Sequence, residues 1–141
     1  MLETQPRIVL DTNVLYAGLY SAAGSSYRLL NAIADGRVRM AISTPLLFEY
    51  EDVLKRKQGV LDLSDAAVEV VLDNLCKHAD FQPIYFLWRP CLPDAKDDMV
   101  LELAVAAQVA HIVSFNAKDF GLASRFGIDV ITPKILLEAL P

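Results

Sequence analysis

The sequence predicts an α/β protein, a three-layer α/β/α sandwich around a central parallel sheet of about five strands. Short, wholly apolar runs such as Ile8-Val9-Leu10 lack the polar–apolar alternation of a half-exposed strand, so both faces of their sheet are covered. Those runs alternate with segments whose apolar residues recur at helical spacing, as in successive strand–helix–strand units. The 141 residues, 54% hydrophobic and 22% charged, fit one domain over residues 1–141 whose core needs no disulfide or metal to hold it.

Arg7-Ile8-Val9-Leu10 reads as a buried strand that stops at the polar turn Asp11-Thr12-Asn13. Ser25 and Ser26 cap a helix over residues 27–34, built on Leu29, Leu30 and Ile33 and closed by Asp35-Gly36. Residues 38–42 form the second strand. Ser43-Thr44-Pro45 supplies a cap and a first-turn proline for a helix through Leu46, Leu47, Tyr50, Val53 and Leu54, ending on the basic Lys55-Arg56-Lys57. Gly59 breaks the pattern, and Ser64-Asp65 opens a helix on Ala67, Val68, Val71, Leu72 and Leu75. Residues 83–87 read as the third strand and 88–96 as a loop with two prolines. Asp97-Asp98 lead an apolar helix that ends near Gln108. His111-Ile112-Val113-Ser114 and Asp129-Val130-Ile131 are the last two strands, separated by a short helical piece near residues 122–126, and a final helix follows Pro133.

Thirteen Lys and Arg against 18 Asp and Glu give a formal net charge of −5, so the molecule as a whole does not attract nucleic acid and any polyanion must be met locally. No apolar stretch approaches the ~20 residues of a membrane span, and the first residues lack the basic-then-apolar pattern of a secretory leader, so a cytoplasmic protein is expected. Cys76 and Cys91 read as small apolar fillers. His78 and His111 are far apart and lack metal-ligand spacing, which argues against zinc.

Ligands of open parallel sheets gather beyond the carboxyl ends of the strands. There the sequence puts Asp11 and Asn13 after the first strand, Ser43, Thr44 and then Glu49 after the second, and Asp94, Asp97 and Asp98 at the entry to the apolar helix. Ser114 ends the next strand, with Asn116 and Asp119 directly after it. Carboxylates brought together repel one another unless cations lie among them, and an all-oxygen set suits Mg²⁺ or Mn²⁺. Structural uses compete. Asp97 or Asp98 can serve as a helix cap or first-turn charge, and Asp119 as the cap of the short helix. Asp97 shares a stripe with Val100, Leu101 and Ala104, which favours it over Asp98 as the acid that points along the sheet edge. Glu49 lies among Leu46, Leu47 and Val53, whereas Glu51 and Asp52 read as solvated charges. Asp11 ends an apolar strand, where an unpaired carboxylate is strongly unfavourable. Asn13 is expected to orient Asp11, while Ser114 either helps or merely finishes its strand.

These residues, taken in order, resemble a known family. Ile8-Val9-Leu10-Asp11-Thr12-Asn13-Val14-Leu15, Ser43-Thr44-Pro45-Leu46-Leu47-Phe48-Glu49-Tyr50, Asp94-Ala95-Lys96-Asp97-Asp98 with Leu101-Glu102-Leu103-Ala104, and Ile112-Val113-Ser114-Phe115-Asn116 are similar to the successive motifs of PIN-domain (PilT N-terminal-like) proteins. The likeness runs from about Arg7 to Pro133 and points to the branch of toxin components of toxin–antitoxin systems, the VapC-like ribonucleases. It implies a Rossmann-like fold and a Mg²⁺- or Mn²⁺-dependent endoribonuclease that cleaves single-stranded RNA. Asp11, Glu49 and Asp97 or its neighbour Asp98 then correspond to the catalytic and metal-holding acids. The fourth acid of the family falls at Asn116, an amide that can ligate through oxygen but brings no charge, and Asp119 is the candidate substitute. Asn13, Ser114 and Asp94 are expected to support the site.

In that reading cations held by the carboxylates lower the pKa of a water and offset the charge developing at phosphorus. Arg28, Lys55, Arg56, Lys57, Lys96 and Lys118 are candidate phosphate contacts that compete with a plain solvated surface role, with Lys96 and Lys118 flanking the cleft, and Tyr16, Tyr20 and Phe115 are candidates for stacking on unpaired bases, with core packing the favoured use of at least two of them. A cognate antitoxin could occlude the cleft with an arginine, and a homodimer could form through the Ser64–Cys76 helix or near Tyr20. A haloacid-dehalogenase-like phosphatase is disfavoured because Asn13 stands where its second Asp is needed, and a response-regulator receiver lacks its acidic pair and acceptor Asp. The remaining alternative is a PIN-like scaffold that binds RNA or a protein without cutting.

Overall fold

A single sheet of five parallel strands runs through the protein in the order β3-β2-β1-β4-β5, where β1 is Arg7–Leu10, β2 Arg39–Ile42, β3 Ala79–Phe81, β4 His111–Val113 and β5 Asp129–Ile131. The computed structural model describes residues 5–84, 92 and 94–141. β1 is the centre of the sheet. Its Ile8, Val9 and Leu10 are fully buried, and Ile8 is in register with Met40 of β2 and His111 of β4.

Among the described residues seven helices accompany the strands: α1 (Thr12–Tyr20), α2 (Ser25–Ala34), α3 (Thr44–Arg56), α4 (Gln58–Leu61), α5 (Asp65–His78), α6 (Ala95–Ala106) and α7 (Pro133–Ala139). Two 3₁₀ turns, Ala117–Phe120 and Ala123–Phe126, lie between β4 and β5. The chain first winds outward from β1 to β2 and β3, then returns through α6 to β4 on the other side of β1. With right-handed crossovers this sends α6 to the face opposite the helices that link β1 to β3. Accordingly α6 packs on β1, β2 and β4, while α1 packs on α2 and α3, and α2 on α5 and α7. The strand order reverses between β1 and β4, and a crevice at their carboxyl ends follows from that reversal.

The capping chemistry is local. Ser43 Oγ accepts the N–H of Leu46, Ser64 Oγ that of Ala67, and Thr132 Oγ1 that of Ile135, with Pro45 and Pro133 in the first turns of α3 and α7. Gly18 lies where α2 crosses α1 closely: a Cβ there would stand 2.5 Å from Leu30 Cδ1 and 3.1 Å from Ser26 O, so a larger residue would have to displace the Leu30 side chain. No helix among the described residues is long and apolar enough to cross a membrane.

The structure departs from the sequence reading in several places. Neither Ser25 nor Ser26 caps α2, which begins at Ser25 after Gly24 with no side-chain cap bond, and α6 begins at Ala95 after its cap Asp94, so Asp97 and Asp98 lie inside its first turn. The third strand is Ala79–Phe81, directly after α5; Gln82 N–H still bonds Ile42 O, but Pro83 and Ile84 belong to no strand, and residues 85–87 lie outside the described residues, as does most of the loop assigned to 88–96. The polar turn Asp11-Thr12-Asn13 opens α1, because Asp11 acts as its cap and Val14, Leu15 and Gly18 give it a buried side. A short helix, α4, fills the break around Gly59. Cys76 is exposed on α5 and fills no core space, and Cys91 lies outside the described residues.

Candidate active site

Asp11 sits at the carboxyl end of β1, 8% exposed, where its backbone N–H continues the ladder to Val113 O at 2.9 Å. Its side chain is held at both oxygens. Oδ1 accepts the N–H of Thr12 at 2.8 Å and so caps α1, and Oδ2 accepts the hydroxyl of Ser114 at 2.6 Å. Ser114, 1% exposed at the end of β4, bridges the switch point of the sheet. Its Oγ also accepts the side-chain N–H of Asn13 at 3.4 Å and the backbone N–H of Asn116 at 3.0 Å. One donated and two accepted bonds saturate the hydroxyl. Asn13 therefore reaches Asp11 through Ser114, and its own Oδ1 is buried with no hydrogen-bond partner among the described residues.

The second element of the site is the amino end of α6. Asp94 caps it through Oδ1 to the N–H of Lys96 at 2.9 Å. Asp97, half-buried in the first turn of α6, is pushed up from 3.8 to about 6, first by burial and then by the charges of Asp11, Asp94, Asp119 and Asp98. Asp11 is also raised, chiefly by burial, with Asp119 and Asp94 adding to it and the bonds from Ser114 and Thr12 acting against it. Asp11, Asp94, Asp97 and Asp119 thus form one field of negative charge, assembled from three separate stretches of chain.

Asp98 has a different place. It is 1% exposed and its Oδ1 accepts the N–H of Leu92 at 2.7 Å, which ties the segment before α6 to the helix. The stripe expectation put Asp97 on the more covered face; the structure covers Asp98 more fully, with its carboxylate bonded to the N–H of Leu92, and leaves Asp97 with the other acids.

Glu49 is on α3 with its side chain 13% exposed, and its carboxyl is raised by burial, a rise opposed by Lys96 and reinforced by Asp52 and Asp94. Lys96 Nζ stands 3.9 Å from Glu49 Oε1, so the cation flanking the cleft is drawn to this acid. Asp94 is the common neighbour of Asp11, Asp97 and Glu49. Asn116 is exposed and joins the network through its backbone. Asp119, half-buried in the turn Ala117–Phe120, does not cap the short helical piece that follows: Ala123–Phe126 has no side-chain cap. Among the described residues no three His, Cys, Asp or Glu side chains stand close enough to share one ion.

Of the candidate phosphate contacts, Lys55 pairs with Glu51 and Arg56 with Asp52 on the outer face of α3, and Arg28 bonds Ser25. His111 begins β4, at the end of the strand away from Ser114. The sequence reading gave no site role to Tyr50. This side chain is fully buried in α3 and its hydroxyl donates to the carbonyl of Leu10, the residue before Asp11, so it fixes the height of α3 against the end of β1. A tyrosine one residue after Glu49 in a helix otherwise buried through leucines was the available signal, since a buried phenol needs an acceptor.

Sequence comparison with curated proteins finds no match. Among solved structures the fold is similar to a crystal structure of VapBC2 from Rickettsia felis bound to a DNA fragment from their promoter, with a TM-score of 0.61 and 16% identity over 89% of this chain and 98% of that one. The family model for the PIN domain matches residues 7–118, which include every acid discussed except Asp119. That match spans most of the sequence, and the chain belongs to the PIN-domain family.

Proposed function

We propose that this chain is a Mg²⁺- or Mn²⁺-dependent endoribonuclease acting on single-stranded RNA, the toxin component of a toxin–antitoxin pair. The observation that supports it most is the convergence of Asp11, Asp94, Asp97 and Asp119 at the switch point of the sheet, where Asp97 is pushed to about 6. Acids so arranged lower their mutual repulsion when cations enter. The donors are hard oxygens, and the unpartnered Asn13 Oδ1 in the same network is an acceptor left for a cation or its water. Mg²⁺ keeps several waters and needs only one or two carboxylates, a mode that fits acids too far apart to share an ion directly.

Asp11 and Asp97 would hold the cation, with Asp119, Asp98, Asn116 and Glu49 the further candidates. When bound, the cation lowers the pKa of a water and offsets charge at the scissile phosphate. Ser114 and Asn13 keep the Asp11 carboxylate in one orientation, and Glu49, held away from bulk water, can accept a proton. Lys96 is placed to meet phosphate once released from Glu49. The partner would be a cognate antitoxin offering a basic side chain to the acids, as suggested by similarity to VapBC2.

The test is cleavage of a labelled single-stranded RNA by wild type, Asp11→Asn and Asp97→Asn, with Mn²⁺ or Mg²⁺ and with EDTA. Metal-dependent cutting by wild type alone supports the reading. Binding of RNA or of a partner with no cleavage under any metal would favour the non-cutting scaffold, which the amide at position 116 also suits.

A further inference from the structure

Beside the acid cluster, a cavity of about 380 Å³ opens between α1, the start of α2, the residue after Ser114 and the start of α7. Three of its walls are aromatic: Tyr16, Tyr20 and Phe115. Tyr16 and Tyr20 stack on each other with ring centroids 5.8 Å apart, which presets one flat face. Tyr20 is 63% exposed and Phe115 49%, although each is large and apolar. Burial in the core does not explain them.

Lys134 is the charged residue lining this cavity, and it makes no ion pair among the described residues. An unneutralised lysine beside aromatic faces, on a chain of net charge −5, is complementary to an anion with a flat apolar part. Position narrows the ligand further. Phe115 lies between Ser114, which bonds Asp11, and Asn116, whose N–H bonds Ser114, so the ring is one residue from the acid network. Tyr16 is on the helix that Asp11 caps.

We propose that the cavity bounded by Tyr16, Tyr20, Phe115 and Lys134 seats one unpaired nucleobase of an RNA strand whose neighbouring phosphate lies at the acid cluster. Stacking needs a base out of its duplex, so the pocket selects single-stranded RNA and tolerates any base face. Lys134 meets a flanking phosphate. This inference rests on the ribonuclease reading for which phosphate is cut, but the pocket itself binds without cutting.

The test separates the two. Anisotropy of a labelled random-sequence single-stranded RNA of about ten nucleotides, and of its duplex, is measured in EDTA at low salt, where no cleavage is needed. Tyr20→Ala and Phe115→Ala should each weaken single-strand binding about ten-fold, with Phe115→Tyr restoring it and Phe115→Leu not. Lys134→Ala should weaken it too and reduce the slope of log Kd against log salt by roughly 0.7. Sedimentation of the same variants should show one unchanged assembly state.

If wild type binds RNA through these aromatics but cuts nothing, the pocket stands and the ribonuclease reading falls. If wild type cuts RNA while the alanine variants bind as well as it does, the pocket is refuted and the ribonuclease reading stands. Equal binding by Phe115→Leu, no single-strand preference, or a change of assembly state in place of a change in affinity would each overturn the proposal, the last by assigning this face to a second copy of the chain.

Discussion

In metal-free buffer, Asp97→Asn should stabilise the protein. Asp97 titrates near 3.8 as a free carboxyl and at about 6 in the folded chain. On a fully buried group that difference would correspond to about 3 kcal/mol. Asp97 is half open to water, and solvent screening leaves about 1–1.5 kcal/mol. Below about pH 3 the carboxyl is protonated in both states and costs nothing. As the pH rises toward 6 the unfolded chain releases its proton first, so the native state loses stability through that window and the full deficit is present above it. The isosteric amide never ionises and removes the deficit. In EDTA at pH 7.5 the variant should melt roughly 3–6 °C above wild type, and the two curves should approach each other as the pH falls and converge below about pH 3. Added Mn²⁺ should raise wild type and leave the variant unmoved, since binding to the native state is what stabilises. Differential scanning fluorimetry over pH, with and without metal, reads all of this. A variant that melts below wild type at pH 7.5 in EDTA would show that the Asp97 carboxylate makes a favourable bond, and the account of a repelling cluster would be wrong.

Asp11→Asn should behave differently, although repulsion alone predicts stabilisation. Asp11 accepts from both Ser114 and Thr12, so whichever way an amide turns, its NH₂ faces one of their hydrogens or loads the saturated Ser114 oxygen, costing about 1–3 kcal/mol. Its Tm in EDTA should fall below that of Asp97→Asn while cleavage is lost, and an equal or higher Tm would contradict the network. Ser114→Ala leaves Asp11 Oδ2 and the Asn13 amide without their shared partner; a loss of about 1–3 kcal/mol in urea unfolding is expected, and a neutral result would make the bridge unimportant. Tyr50→Phe should cost about 1 kcal/mol by removing the donor to Leu10 O, with metal affinity reduced through displacement of Glu49; unchanged stability would remove Tyr50 from the positioning of α3. Asp98→Ala frees the N–H of Leu92 and should destabilise by about 2 kcal/mol even with metal saturating, a pattern opposite to that of Asp97→Asn.

The candidate acids were legible because each stands at a boundary that local chemistry fixes. An apolar run ends at Asp11, a serine and proline open the helix that carries Glu49, and an acidic segment opens α6. The order of strands and helices was readable for the same reason, since hydrophobic period and capping act over a few residues. The third strand was misplaced because Ala79–Phe81 is only three residues long at the sheet edge, too short to show a period, and follows α5 without a turn signal. α1 was missed because its cap is also its catalytic candidate: Asp11-Thr12-Asn13 carries turn chemistry whether or not a helix follows.

The sequence by itself determined the parallel α/β architecture, the family's motifs and the acids available at the strand ends, all properties of neighbours along the chain. Tertiary structure alone decided the surroundings of each candidate acid. The bond from the N–H of Leu92 engages Asp98, while Asp97 feels the charges of Asp11 and Asp119. The adjacency of β1 and β4, a pairing of segments about a hundred residues apart, puts Ser114 against Asp11 and so orients the carboxylate. Burial and charge repulsion depend on distance through space, which no spacing along the chain records.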